Sequence, residues 1–127
     1  MSIPIEQQVC SIELARRLKG LRVKQESVWR WYKEEGMVSP AAVLMGLYPE
    51  CVIAAAFTVA ELGEMLPEGI FPEDAQSLNV VKMDHGWRFF YRGLDDHRTT
   101  YGDWYRNMAD AAADMLIYLI EQGIVTP

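Results

Sequence analysis

Two histidines and three aspartates are the residues of this sequence whose types best suit acid–base or metal chemistry. They are His85 and His97, with Asp84, Asp95 and Asp96 nearby. Imidazole and carboxylate groups together can act as general acid and base, or can bind zinc. Both histidines, however, fall in polar stretches that favour turns, where aspartate is common because it hydrogen-bonds the nearby backbone. We therefore predict solvated loops without a catalytic or metal site, and keep a hydrolase as the weaker alternative.

The two cysteines, Cys10 and Cys51, are the candidate nucleophiles. Cys10 precedes a predicted helix, and a helix N-terminus can lower the pKa of a thiol. No histidine lies near it in the sequence, and a buried, unreactive cysteine is the more common case. Two cysteines without metal-ligand spacing indicate a reduced, cytoplasmic protein. The sequence also lacks a glycine-rich phosphate-binding motif, so we predict no cofactor.

Charge is distributed unevenly along the chain. Residues 16–33 hold seven of the twelve basic residues and one acid, so this segment carries +6 in a chain of net charge −6 and leaves −12 elsewhere. Such an asymmetry can mark a contact with nucleic acid, or it can allow two copies of a chain to associate.

Residues 12–36 show some features of a DNA-binding helix-turn-helix, with an early alanine, a glycine near the turn and a basic surface. In a compact unit of this kind the glycine follows the alanine by about four residues, and the next buried aliphatic residue follows by about six more. Here Gly20 follows Ala15 by five residues and Val28 comes eight later. We therefore predict a helix, a loop and a strand, and keep a DNA-binding transcriptional regulator as the alternative function.

Residues 28–32 are mostly β-branched or aromatic. Their pattern alternates, with Trp29 and Trp31 on one face and Val28, Arg30 and Tyr32 on the other, which predicts a strand. Tryptophan, tyrosine and arginine are also the usual anchors of protein interfaces. We predict a protein-binding surface that combines this strand with the basic face of the first helix. Its residues are Arg16, Arg17, Trp29, Arg30, Trp31 and Tyr32.

Local signals predict the elements that position these residues. Ser11 begins a helix over residues 11–19, and a capping box of Thr58 and Glu61 begins another over 59–66. Proline after Ser39 predicts a short helix in the stretch 37–56, followed at 51–55 by a strand or coil. Residues 67–76 read as a loop.

Residues 79–92 predict a β-hairpin about a turn at 84–86, where Gly86 can adopt a positive φ. The alternation places Val81 and Met83 on the same face as Trp87, Phe89 and Tyr91. We expect this face to be buried, because an isolated hairpin is only marginally stable in water.

The last predicted helix spans residues 104–122, with Asp103 as its N-cap and Gly123 as the residue that ends it. Most of its apolar residues form one stripe, which suits packing against a core. Ile117 and Ile120 fall outside this stripe. The end of the helix is therefore either deeply buried or in contact with a second surface, such as a dimer partner.

These elements predict one α+β domain over residues 1–127. Its small, mostly antiparallel sheet carries the N- and C-terminal helices on one face, since this arrangement buries both apolar helix sides. The longest uncharged run, residues 37–49, is shorter than the roughly twenty residues that cross a bilayer, so no membrane role is predicted.

Three segments resemble a group of small uncharacterised proteins of phages and prophages. They are CSIELARRLKGLRVKQES (10–27), AFTVAELGEMLPEG (56–69) and DAAADMLIYLIEQGIV (110–125), which together cover just over a third of the chain. The sequence departs from this resemblance at Leu21-Arg22-Val23, where Leu-Gly-Val is expected. The resemblance implies a compact α+β protein of a mobile genetic element, without known catalytic residues.

The sequence as a whole predicts a cytoplasmic, phage-type accessory protein that acts by binding and is not an enzyme. We expect a protein partner or a homodimer, with nucleic acid as a weaker possibility.

Overall fold

A computed structural model of the protein describes residues 3–70 and 76–127. In it, one helix begins the chain, one ends it, and a third separates two groups of strands. Residues 71–75, part of a predicted loop, lie outside the described residues. Within the described parts, the α-helices are Ile12–Gly20 (α1), Val59–Met65 (α2) and Met108–Glu121 (α3). The strands are Trp29–Glu34 (β1), Met37–Ala42 (β2), Val52–Ala55 (β3), Gly69–Ile70 (β4), Gln76–Met83 (β5), Gly86–Arg92 (β6) and Thr100–Tyr101 (β7). The predicted α+β class is confirmed.

The strands form two antiparallel sheets, whereas the sequence predicts one. The first sheet has the order β2-β1-β3 and the second has the order β4-β5-β6-β7. Helix α3 packs against β6 and also against α1 and α2, while α1 packs against β3. The apolar surfaces of the helices are therefore shared between two sheets.

Helix α3 begins four residues later than predicted. Its N-cap is Asn107, whose side-chain oxygen accepts a hydrogen bond from the N–H of Ala109 at 2.8 Å, and not Asp103. The preceding residues are held extended, because Tyr105 forms a β-bridge with Trp87 through hydrogen bonds of 2.6 and 2.8 Å. Tertiary pairing has therefore replaced the first predicted turn of the helix.

The end of α3 agrees with the prediction. Gly123 has a φ of +74°, and the N–H of Ile124 donates to the carbonyl of Leu119 at 2.9 Å, as in a Schellman motif. Ile117 is only 1 % exposed, so deep burial explains its place outside the main stripe, whereas Ile120 is half-buried at the edge of the core. The buried residues of the helix are Ala109, Ala111, Ala112, Ala113, Met115, Leu116, Ile117 and Leu119.

The β5–β6 hairpin is confirmed, but the predicted facing of its side chains is wrong. Met83 pairs with Gly86, so the turn contains two residues and not three. Because side chains alternate along a strand, this difference of one residue exchanges the two faces of β5, and Val81 lies opposite Arg88. The face towards α3 carries Leu78, Val80, Lys82, Trp87, Phe89 and Tyr91.

Residues 37–42 form strand β2 and not the predicted helix. The whole of β2 pairs with β1, from Glu34 opposite Met37 to Trp29 opposite Ala42. The predicted strand at residues 28–32 is confirmed as part of β1, which is the middle strand of its sheet. Residues 12–36 therefore contain one helix followed by a strand, and they do not form a helix-turn-helix.

The predicted capping box of α2 is present. Thr58 accepts a hydrogen bond from the N–H of Glu61, and the Glu61 carboxylate accepts one from the N–H of Thr58 at 2.9 Å. The same carboxylate accepts hydrogen bonds from the hydroxyl of Ser27 at 2.7 Å and from the N–H of Val28 at 3.1 Å. The N-terminus of α2 is thereby joined to the segment that enters β1.

Arg22 adopts the left-handed backbone conformation that favours glycine. Its φ is +68°, and its side chain is exposed. This is the position at which the resemblance to phage proteins leads us to expect glycine. The turn between α1 and β1 therefore tolerates a strained residue.

The variant Arg22→Gly should raise the free energy of unfolding. The left-handed conformation costs an L-residue roughly 1–2 kcal/mol, and the added flexibility of glycine offsets roughly 0.5–1 kcal/mol of the gain. Denaturant unfolding should therefore show a net gain of about 0.5 kcal/mol. The control Arg16→Gly, within α1, should lose about 1 kcal/mol. A loss of stability in Arg22→Gly would contradict the strain.

Asp110 joins α3 to the start of α1. One of its carboxylate oxygens accepts a hydrogen bond from the N–H of Ser11 at 2.5 Å, across 99 residues of sequence. Burial raises the pKa of this carboxyl above its ordinary value, although the hydrogen bonds from Ser11 oppose the rise. The folded state therefore holds the Asp110 proton more tightly than the unfolded chain does.

This pKa shift predicts how stability depends on pH. A carboxyl with a raised pKa contributes stability below its unfolded pKa, and this contribution is lost as the pH rises through the folded pKa. Asp110→Asn removes the titration but keeps an oxygen that can accept from Ser11. The variant should therefore gain stability relative to the original protein as the pH rises from below 4 towards neutrality.

Urea unfolding at several pH values measures the difference in free energy of unfolding between the two proteins. The contributions of the other carboxylates are common to both proteins and cancel in this difference. If the original protein instead gained on the Asn variant as the pH rose, the Asp110 carboxylate would be stabilised by its surroundings, and the raised pKa would be contradicted.

Candidate protein-binding surface

The predicted binding residues of β1 are mostly inside the protein. Trp31 is 8 % exposed, and its indole N–H donates to the carbonyl of Cys10 at 2.9 Å. Tyr32 is also 8 % exposed, and its hydroxyl accepts a hydrogen bond from the N–H of Tyr48 at 3.3 Å. Trp31 is therefore a core residue, and the prediction that it anchors a partner is wrong. Sequence could not separate these cases, because tryptophan suits a core as well as an interface.

The two predicted binding residues of α1 are exposed arginines, and the contacts of Arg17 are with α3. Arg16 and Arg17 are exposed, and Arg17 forms an ion pair of 3.5 Å with Glu121 at the end of α3. An exposed pair of this kind contributes at most about 1 kcal/mol. Arg17 lines a cavity of about 270 Å³ together with Asp103 and Asp114. Arg17 therefore lies in a cavity beside α3, whereas Arg30 of β1 lies in another cavity with Lys19 of α1.

Trp29, Arg30 and Tyr32 instead line two depressions on either side of residues 43–48. Trp29 and Tyr32 line a groove of about 650 Å³, and Arg30 lines one of about 480 Å³. Gly46 and Leu47 line both. The segment between the grooves is thus a ridge, and we call residues 43–48 the apolar ridge.

The apolar ridge is unusually exposed for its composition. Leu44 is 99 % exposed, Met45 78 %, Tyr48 64 % and Val43 42 %. Strand β2 leads into the ridge, and Met37, at the far end of this strand, is 74 % exposed. Contiguous apolar patches on the surface of soluble proteins usually mark sites that bind a partner.

Local backbone contacts hold the apolar ridge in place. The N–H of Val43 donates to the carbonyl of Val28 at 2.9 Å, which continues the pairing of β1 with β2. Gly46 then turns the chain with a φ of +71°. The hydrogen bond from Tyr48 to Tyr32 fixes the far end. Burial raises the pKa of the Tyr32 hydroxyl, and contact with the Cys51 side chain adds to the rise, so this hydroxyl stays neutral at physiological pH.

Charged residues of both signs surround the apolar ridge. Lys19 and Arg30 line the smaller groove, and Glu34 lines the larger one. The Lys19 ammonium donates to the carbonyl of Ile53 at 2.8 Å, and the Arg30 guanidinium donates to the carbonyl of Trp29 at 3.2 Å. These bonds hold the positive charges on one side of the ridge, with the negative charge on the other.

The predicted acid–base residues do not form a cluster in the described parts of the chain. No group of three histidine, cysteine, aspartate or glutamate side chains there could hold a metal ion. The ring of His85 packs against Trp104, with 4.1 Å between centroids, while His97 lies exposed in the turn Asp96–Arg98. Asp84 is exposed at the hairpin turn, and Asp95 accepts the N–H of Arg98 at 3.1 Å. The side chain of Asp96 lies outside what the structure describes.

The suggested activation of Cys10 is contradicted. Cys10 is fully buried, and burial raises the pKa of its thiol to about 12, so the thiolate is not available as a nucleophile near neutral pH. Cys51 is half-buried beside Tyr32. Both cysteines are free thiols.

Sequence reasoning missed the apolar ridge. Its residues belong to a run of aliphatic residues between Pro40 and Pro49, for which the local pattern predicts a short helix. The available signal was the pair of prolines, because proline favours sheet edges and turns. Exposure itself is not encoded by this pattern.

Among the described residues, the helices are too short or too polar to reach across a bilayer. No protein-family model, no curated protein and no solved structure matches the chain.

Proposed function

We propose that the chain is a protein-binding module that docks through the apolar ridge, and that the occupant of this surface is a second copy of the chain. The resemblance of residues 10–27, 56–69 and 110–125 to phage and prophage proteins supports a cytoplasmic accessory role in a mobile genetic element. The proposal includes no catalytic step and no cofactor. The observation that carries it is the exposure of Leu44 and Met45 on an ordered segment.

The amount of exposed surface supports association. The chain exposes 8232 Å², whereas a folded monomer of 14.5 kDa exposes about 6,900 Å². The excess is roughly 1,300 Å², and the exposed side chains of the apolar ridge contribute to it.

The form of β2 supports docking by side chains and not by strand addition. The N–H of Val43 points to β1, because it donates to the carbonyl of Val28. Backbone N–H groups point to alternate sides along a strand, so those of Val38 and Ala42 point to the free edge of the sheet. Pro40 lies between them and has no N–H to offer. A proline directed outwards on an edge strand prevents a continuous ladder with another chain.

The charges beside the apolar ridge favour a second copy as the partner. A two-fold interface brings the same patch of both chains together, so the patch must be complementary to itself. Arg30 and Lys19 on one side and Glu34 on the other meet this requirement for a two-fold axis parallel to the ridge, because such an axis would bring each cation opposite the partner's acid. A surface of one sign would repel its own copy.

Replacing Leu44 by glutamate should weaken the dimer. The side chain is 99 % exposed in the monomer, so folding should be unaffected, whereas an interface would have to bury an unpaired charge. We expect the dissociation constant to rise at least tenfold, which corresponds to about 1.4 kcal/mol. Sedimentation velocity over a range of concentrations measures this constant.

Leu94→Glu is the matched control, because Leu94 is 78 % exposed and lies on the other sheet's side of the molecule, next to β6. It should dimerise like the original protein. If the original protein stayed monomeric at the highest concentration, or if both variants dissociated equally, the ridge would not be the interface.

A further inference from the structure

The outer face of the four-stranded sheet carries aromatic rings and arginines in one row. Arg88, Phe90 and Arg92 alternate with the inward residues of β6, and Tyr101 of β7 lies opposite Phe90. The Phe90 and Tyr101 rings are 5.6 Å apart between centroids and tilted by 31°. We call these two tilted rings, which lie beside the two arginines, the aromatic platform.

The Arg88 side chain is held over the Tyr101 ring of this platform and near the ring of Trp104. The Arg88 guanidinium lies 4.3 Å from the centroid of Tyr101 and 5.3 Å from that of Trp104. Its Nε–H donates to the carbonyl of Gly102 at 2.8 Å. This is the one side-chain nitrogen of Arg88 that donates to a described residue, and the Arg92 side chain makes no hydrogen bond or ion pair with the described parts of the chain. Both arginines therefore keep donors for a ligand.

A rigid loop forms a wall next to the platform. Gly93 donates its N–H to the Thr99 hydroxyl at 3.1 Å, and this hydroxyl donates to the carbonyl of Asp95 at 2.8 Å. A Cβ on Gly93 would meet the carbonyl of Arg98 at 2.2 Å, so the loop closes tightly over the end of β6. The resulting cavity of about 260 Å³ is lined by Arg88 and Arg92 and by one acid, Asp95.

We propose that this face binds single-stranded nucleic acid, with a base stacked on the Phe90 ring and phosphates bound by Arg88 and Arg92. Aromatic rings on an open sheet are a common surface for stacking bases, and arginine donors suit phosphate oxygens. This proposal is independent of the apolar ridge, and it uses a different surface from residues 12–36.

The spacing of the arginines favours a polynucleotide over a free nucleotide. Arg88 and Arg92 are four positions apart on β6, so their Cα atoms are about 13 Å apart. A base stacked on Phe90, which lies between them on the strand, would have one phosphate on each side, as in a chain of nucleotides. A nucleoside monophosphate has a phosphate on one side alone. The net charge of −6 limits long-range attraction, so binding depends on these local contacts.

The test is fluorescence anisotropy with a labelled 12-nucleotide oligouridylate at low salt. With two phosphate contacts, the logarithm of the association constant should fall with that of the salt concentration with a slope of about −1.4. Arg92→Ala should reduce this slope to about −0.7. Phe90→Ala should weaken binding about 5- to 150-fold, as expected for the loss of one stacked base.

Lys82→Ala is the control, because Lys82 is a cation on the opposite face of the same hairpin, 5.2 Å from the centroid of the Trp87 ring. It should leave both the affinity and the slope unchanged. The proposal is overturned if the original protein does not bind the oligonucleotide, or if Lys82→Ala and Arg92→Ala weaken binding equally. Equal affinity for uridine monophosphate, measured by competition, would also overturn it.

Discussion

The burial of α3 on nearly every side is the constraint on which the rest of the fold depends. Its alanines at 109 and 111–113 are each at most 1 % exposed, and their small side chains let α1, α2 and β6 approach its axis. Two of its aspartates accept hydrogen bonds from other segments of the chain. Asp110 accepts one from the N–H of Ser11, the N-cap of α1, and Asp114 accepts one from the Tyr105 hydroxyl at 3.2 Å. The helix thus joins segments that are distant in the sequence.

A core arranged around one helix leaves the outer faces of both sheets to solvent. Trp31 and Ala54 of the first sheet and Phe89 and Tyr91 of the second belong to one cluster of buried residues with α3. The opposite sides carry the apolar ridge in one case and the Phe90–Tyr101 platform in the other. Both proposals follow from this division, because residues that the core does not need can be selected for binding.

Sequence predicted the parts of this fold that depend on neighbouring residues. The N-caps at Ser11 and Thr58 and the left-handed Gly123 are confirmed, because each needs only a few residues of local geometry. It failed where distant pairing decides. Tyr105 is held extended by Trp87, so α3 begins late, and β2 pairs with β1 where Pro40 alone suggested a helix.

The binding residues were predictable by type but not by position. The sequence identified the aromatic and basic set around Trp29 and Arg30, but only the packing of Trp31 against Cys10 separates the core members from the exposed ones. The hairpin shows the same limit. A turn one residue shorter than expected places Val81 on the outer face with Arg88 and Phe90, and a local pattern does not determine this register.

Amide hydrogen exchange measured residue by residue tests most directly whether α3 unites both sheets in one core. If it does, the most protected amides of β1, β6 and α3 should open with the same free energy, equal to that of global unfolding. If the β1 amides opened at a much lower free energy while β6 and α3 remained protected, the two sheets would be separate cooperative units, and a single core organised by α3 would be contradicted.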